Sequence, residues 1–157
     1  MESVEKEERT VYIIKPEGMK YACEIREMIR EAGKITGAWQ LILPEWVPKI
    51  LYPKGSSEQH YGLGKFFGSG ISEIGIVIGE GAIEALVRIS GSKTDPLSCE
   101  PGTIRKRFGD YPEMGHGIPY YRNCIHRSRT GKESLRDQNL CQTLSSHFQY
   151  QAIRVSL

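Results

Sequence analysis

No stretch of these 157 residues is long and apolar enough to span a bilayer, and the N-terminus, MESVEKEER, is charged throughout with no apolar core of a signal segment. Cysteine is sparse. Cys23, Cys99, Cys124 and Cys141 form no CxxC pair and have no histidine at ligand spacing, so neither a zinc site nor a disulfide framework is suggested. Neither sign of charge dominates: 21 Lys and Arg stand against 19 Asp and Glu, a formal +2, so no nucleic-acid footprint is expected. Glycine cradles for phosphate are missing as well. Gly91-Ser92-Lys93-Thr94 lacks the upstream glycine and the Gly-Lys pair of a Walker A loop, and Gly62-Leu63-Gly64 lacks the third glycine of a dinucleotide turn. These absences leave a soluble, cytoplasmic protein with reduced thiols and no membrane association, in which any bound phosphate must be held by side chains.

The chain carries 39% hydrophobic and 25% charged residues, enough for one globular domain with its own core. Thr10-Val11-Tyr12-Ile13-Ile14 reads as a strand stopped by Lys15-Pro16-Glu17-Gly18. Ile25, Met28, Ile29 and Ala32 recur at helical spacing before Gly33, and Ile35, Gly37, Trp39, Leu41 and Leu43 alternate as one buried face of a second strand. A short helix is expected around Trp46 to Leu51, then a glycine-rich surface loop to Gly70. Ile74 to Ile78 is uniformly apolar, as a central strand is, and Gly79-Glu80-Gly81 opens a helix with Ile83, Leu86 and Val87 inward. Gly91 to Gly109 has no period, Tyr120 to Ile125 supplies a fourth strand, and Glu133 to Phe148 a last helix. The order strand, helix, strand, strand, helix, strand predicts an α+β fold: a ferredoxin-like βαββαβ unit whose four-stranded antiparallel sheet is covered by helices on one face.

The residues able to do chemistry are few. Asn123-Cys124-Ile125-His126-Arg127-Ser128 ends a short apolar run on an imidazole. If the stretch is extended, Asn123 and Ile125 point one way and Cys124 and His126 the other. Lys15 closes the first strand, and Arg88, Lys93 and Arg105 surround the irregular segment, with Thr94 or Thr103 offering a hydroxyl. Guanidinium groups suit phosphate because their planar fork bonds two oxygens at once. Each also has a plainer role: solvated surface charge for the cations, a helix's apolar face for Tyr52, a turn for Asn123, a strand end for Ser128.

Taken in order, Lys15-Pro16-Glu17-Gly18 after a strand, Arg88 before Gly91 and Thr94-Asp95-Pro96, Pro101-Gly102-Thr103-Ile104-Arg105, and Asn123 three residues before His126 resemble the nucleoside diphosphate kinase family from about Glu8 to about Leu140. The resemblance implies a charged lead over 1–8, one kinase-like domain over 9–148 and a tail over 149–157. It implies ping-pong transfer of the γ-phosphate of a nucleoside triphosphate such as ATP to a nucleoside diphosphate, with His126 as phosphohistidine. Lys15, Arg88, Thr94 and Arg105 would hold phosphates, Asn123 the sugar, and Tyr61 or Phe66 the base, a place His60 could also take. Tyr52 would lie near the transferring phosphate, Ser128 and either Asp137 or Glu133 would orient His126, and Asp137 is preferred. Mg²⁺ would be held mainly by nucleotide phosphates rather than by protein ligands, and the protein would assemble as a homo-oligomer, hexamer or tetramer.

This chain departs from the family pattern in four places. The turn after Lys15-Pro16-Glu17-Gly18 is shortened, the loop from Tyr52 to Gly70 is rearranged, and residues 106–122 contain an insertion expected to form a surface loop or subunit contact. Arg127 and Arg129 replace the small and acidic residues that usually flank the serine. Two extra cations beside the imidazole would lower its pKa and attract phosphate, while their bulk would obstruct entry and leave a catalytically weak or inactive nucleotide-binding protein, the alternative to an active kinase.

Overall fold

Five β-branched or aromatic side chains in a row make Glu7–Ile14 (β1) an interior strand of the sheet, and Val11 to Ile14 are wholly buried. In a computed structural model of the chain, the described residues are 6–110, 113–115, 118–147 and 152–157, with the backbone alone described at 113–115, 118–120 and 147. β1 pairs antiparallel on one side with Ser72–Glu80 (β3) and on the other with Ile125–Arg127. β3 in turn pairs with Lys34–Leu41 (β2).

The antiparallel α+β architecture is as expected, with one strand more. Numbering on through Glu113–Gly115 (β4), Ile118–Tyr120 (β5), Ile125–Arg127 (β6) and Ile153–Arg154 (β7), the sheet order is β6-β1-β3-β2-β7, and β4 and β5 form a separate hairpin. The fourth strand thus lies at 125–127 rather than 120–125, because Cys124 adopts a left-handed φ of 69° that no extended strand admits. The inserted segment contains the paired strands β4 and β5, and residues 116–117, with His116, lie outside the described residues.

Helices cover both faces of the sheet, where one was expected. Ala22–Ile29 (α1) and Ala82–Ser90 (α4) bury Ile25, Ile29, Leu86 and Ile89 against Tyr12, Ile14 and Val77. Val47–Leu51 (α2), Ser57–Phe67 (α3) and Gly131–His147 (α6) bury Leu51, Phe67, Leu140 and Leu144 against Val11, Ile13 and Ile74. A fifth short helix, Ile104–Phe108 (α5), precedes the hairpin. Phe148, the expected end of α6, lies outside the described residues.

Three local expectations change. The stretch read as a glycine-rich loop is α3, opened by a capping box in which Ser56 Oγ accepts from Gln59 N while Gln59 Oε1 accepts from Ser56 N. Its Gly64 is there for closeness: a Cβ would come within 2.7 Å of the Glu45 carbonyl oxygen. The single alternation read over 35–43 is broken by a bulge between Ile35 and Gly37, so Ile35 and Ala38 join the α1–α4 core while Leu41 and Leu43 join the other. On α4 the inner stripe is Ala82, Ala85, Leu86 and Ile89, while Ile83 and Val87 are half-buried.

One buried polar cluster is far from any expected site. Tyr12 lies over Gly75, its cross-strand partner, and donates its hydroxyl to Glu73 Oε2 at 2.9 Å. Arg26 Nε bonds both oxygens of the same carboxylate at 3.1 and 3.0 Å, and Gln40 Nε2 adds a bond at 3.2 Å. Glu73 is fully buried, so truncating it strands a phenol and a guanidinium at once. Glu73→Ala is expected to lower stability by about 3–5 kcal/mol in urea unfolding. A loss below about 1 kcal/mol would show that the cluster relaxes around the gap.

Candidate active site

The motif residues 15–18 fold around the turn at Asn123–Ile125. Lys15 N donates to Cys124 O at 2.8 Å, Cys124 N donates to Glu17 Oε1 at 3.0 Å, and Gly18 lies so close that a Cβ would be 2.8 Å from Cys124 O. Ile125 N donates to Asn123 O at 2.8 Å, which with the positive φ at Cys124 makes a tight three-residue turn, an uncommon and strained one. The turn cancels one step of alternation. Asn123 and His126, expected on opposite faces, therefore line one cleft of about 400 Å³.

His126 is 6% exposed and held from two sides. Asp137 on α6 places Oδ2 3.0 Å from His126 Nε2, and the Tyr52 hydroxyl lies 3.3 Å from Nδ1 with its ring edge-on to the imidazole. Asp137 in turn accepts from Ser128 Oγ at 2.8 Å and from Arg136 Nε at 2.8 Å. Of the two acids considered, Asp137 thus contacts the histidine, while Glu133 accepts from Arg129. Burial pushes the His126 imidazole below its usual range, against the opposing pull of Asp137, and nearby Lys15 and Arg105 add to the fall. For Asp137, burial would raise the carboxyl, but the bonds from His126, Arg136 and Ser128 hold it below its usual range. The pair is therefore a neutral imidazole beside a carboxylate, with Asp137 at Nε2 and the Tyr52 hydroxyl at Nδ1.

Cations line the same cleft. Lys15 Nζ donates to Asn123 Oδ1 at 2.6 Å, and Asn123 Nδ2 donates to the Thr94 carbonyl at 2.9 Å, tying the first strand to the irregular segment. Arg105 bonds the Lys93 carbonyl at 2.7 Å and the Ile125 carbonyl at 2.9 Å, and its buried Nε has no partner among the described residues. Burial lowers the Lys15 ammonium to about 8, with Arg105 and Arg127 adding repulsion against the pull of Glu17, and burial also lowers the Arg105 guanidinium. Buried like charges of this kind are stabilised by a multiply charged anion. Because Lys15 is charged only below about 8, kcat/KM for an anionic substrate is expected to fall above that pH. Lys15→Arg should move this basic limb upward; an unmoved limb would assign it to another group.

The cleft gathers Lys15, Tyr52, Thr94, Arg105, Asn123 and His126, while Ser128 and Asp137 stand behind the imidazole. It does not gather Arg88, which is exposed on the outer side of α4, nor the two aromatics considered for base stacking. Tyr61 is 54% exposed under Lys65 Nζ, and Phe66 packs edge-on to Phe67. His60 is bonded to the Tyr52 carbonyl at 2.7 Å. In their place Leu63 and Tyr121 present apolar surface to the cleft, and Arg136 and Glu17 act as supports. None of these four has a sequence period or spacing of its own to mark it; only Glu17 falls within a recognised stretch.

Fold and cleft together define an antiparallel α+β phosphotransferase-type site, in which a carboxylate-anchored imidazole faces a cluster of buried cations. Residues 8–143 match the family model for nucleoside diphosphate kinase. The chain is 28% identical over 137 residues to a nucleoside diphosphate kinase of Streptococcus uberis, covering 85% of this chain and 92% of that protein. It is 34% identical over 131 residues to one of Nostoc punctiforme, covering 77% and 78%. Among solved structures it is similar to a transition state mimic of the Borrelia burgdorferi nucleoside diphosphate kinase with bound vanadate and ADP, at TM-score 0.72 and 25% identity, covering 85% and 86% of the chains. A Babesia bovis nucleoside diphosphate kinase family protein shares the fold at TM-score 0.72 and 23% identity, over 96% and 95%. The chain belongs to the nucleoside diphosphate kinase family, a family of phosphotransferases. No described helix is long and apolar enough to cross a membrane, and all four cysteines are free.

Proposed function

We propose that this protein transfers the γ-phosphate of a nucleoside triphosphate, ATP among them, to a nucleoside diphosphate through phosphohistidine at His126 Nδ1. The observation that carries the reading is the 3.0 Å contact of Asp137 with Nε2, which leaves Nδ1 as the nucleophile beside Lys15 and Arg105. In the first half-reaction an N–P bond forms to Nδ1, the bond from Pγ to the bridging oxygen breaks, and the nucleoside diphosphate leaves with that electron pair. A second diphosphate reverses the step and regains the phosphoryl group. Lys15 and Arg105 neutralise charge on the phosphate oxygens, Thr94 meets them at the rim, Tyr52 lies beside the transferring group, and Asn123 is placed to meet the sugar. Leu63 and Tyr121, rather than Tyr61 or Phe66, are positioned to receive the base.

Mg²⁺ bound with the nucleotide would neutralise further phosphate charge. The ion would be carried mainly by the nucleotide's phosphates, since Asp137 and Glu133, the carboxylates nearest His126 and Arg129, already accept from Ser128 and Arg129. Assembly as a hexamer or tetramer and residence in the cytoplasm belong to the same reading and are checked by light scattering and fractionation.

The test is incubation with γ-labelled ATP and Mg²⁺, followed by addition of a diphosphate. Acid-labile label on the protein, discharged by the diphosphate, is expected. ATP binding without label would instead make this a nucleotide-binding protein without turnover.

A further inference from the structure

The resemblance assigns a phosphate to Arg88, yet Arg88 is exposed and its neighbours across the adjoining depression are Met28, Glu31, Glu84 and Glu100, on the far side of α4 from His126. The burial pattern of α4 explains this. Ala85, Leu86 and Ile89 face the sheet, so position 88 must face outward. The cleft nevertheless contains guanidinium groups beyond that of Arg105: Arg129 and Arg136 are paired with Glu133 and Asp137, and the third is contributed by the residue that follows the histidine.

Arg127 is 5% exposed, lines the cleft, and is fixed at the carboxyl end of α4: Nε donates to Ser90 Oγ at 2.8 Å and Nη2 to the Gly91 carbonyl at 2.9 Å. His126 and Arg127 pair with Ile13 and Tyr12 of β1 and leave β6 on opposite faces, so the anchored arginine does not cover the ring nitrogen. Nη1 has no acceptor among the described residues. Asp137 serves His126, Ser128 and Arg136, and Glu133 serves Arg129, so Arg127 makes no ion pair among the described residues. Burial, then repulsion from Arg105 and Arg129, lowers this guanidinium to about 10, the mark of a cation held among cations. An anchored guanidinium with one free edge is preorganised for phosphate oxygens.

We propose that Arg127 is a phosphate-binding residue of this cleft, holding phosphate oxygens of a nucleoside di- or triphosphate through its Nη1 edge in the role the resemblance gives to Arg88. This rests on the reading of the cleft as a nucleotide site. Calorimetric titration of the full chain with Mg·ADP and with adenosine tests it. Arg127→Gln is expected to raise the Kd for ADP by about 10- to 100-fold, the range of one charged hydrogen-bond pair, and to leave adenosine within about twofold. Arg127→Lys keeps the charge without the fork and should weaken ADP several-fold with adenosine unchanged, and it decides the matter alone if the Gln variant does not fold. Arg88→Gln should leave both Kd values within about twofold. Equal weakening of ADP and adenosine would reduce Arg127 to a cap for α4, and an Arg88 effect as large as that of Arg127 would restore the original assignment; either overturns the proposal. Failure of the underlying reading shows differently, as a wild-type chain that binds ADP no better than adenosine.

Discussion

His126→Asn is expected to abolish the acid-labile label altogether and to lower turnover by about 10⁴-fold or more, the scale seen when a covalent nucleophile is removed. The amide of Asn can accept a bond from Tyr52 but offers no nitrogen lone pair to phosphorus. Lys15, Arg105 and Asn123, the residues proposed to hold the nucleotide, are untouched, so ADP affinity should change by less than about threefold. The measurement is a single-turnover labelling time course beside an ADP titration on the same preparation. Label that persists on the variant would move the nucleophile elsewhere. The side chain is buried, so thermal unfolding is followed in parallel, and loss of label with an intact transition is the decisive pattern.

Asp137→Asn is expected to slow labelling by about 10³- to 10⁴-fold, on the precedent of an orienting aspartate replaced by its amide behind a catalytic histidine. An amide nitrogen facing Nε2 would donate where the carboxylate accepts, driving the ring proton to Nδ1 and blocking the attacking lone pair. Ser128 and Arg136 lose a charged acceptor in the same step. A purely structural aspartate would instead lower stability and leave the rate per folded molecule within about tenfold. Asp137→Glu restores the carboxylate and should recover part of the rate.

The sequence carried the chemistry of the site further than its exact walls. Lys15, Thr94, Arg105, Asn123 and His126 come from four separate segments, and the structure brings all of them to one cleft. Arg88 is the exception because a helix offers only one inward stripe, and on α4 that stripe is taken by Ala82, Ala85, Leu86 and Ile89. The left-handed turn at Cys124 was not readable, since nothing about a cysteine announces positive φ. Its consequence was to unite Asn123 and His126, which a straight strand would have separated. The helix over Ser57–Phe67 was readable in part. Ser56 and Gln59 stand at capping-box spacing, but the glycines beside them look like breakers until Glu45 is seen pressed against Gly64. The buried Glu73 cluster depends on Arg26 and Gln40, distant in sequence and unmarked by any period.

The fifth strand bears on how the molecule keeps to itself. Ile153–Arg154 pairs with Trp39 and Gln40, and Val155 N donates to the Ala38 carbonyl at 2.8 Å, so the outer amides and carbonyls of β2 are partly occupied. The sheet then ends in a two-residue ribbon on one side and the three-residue β6 on the other, both too short to serve as a template for a stray strand. Residues 152–157 thus work as a selvedge that hems β2 at Ala38, Trp39 and Gln40 and shortens the edge left open to a stray strand.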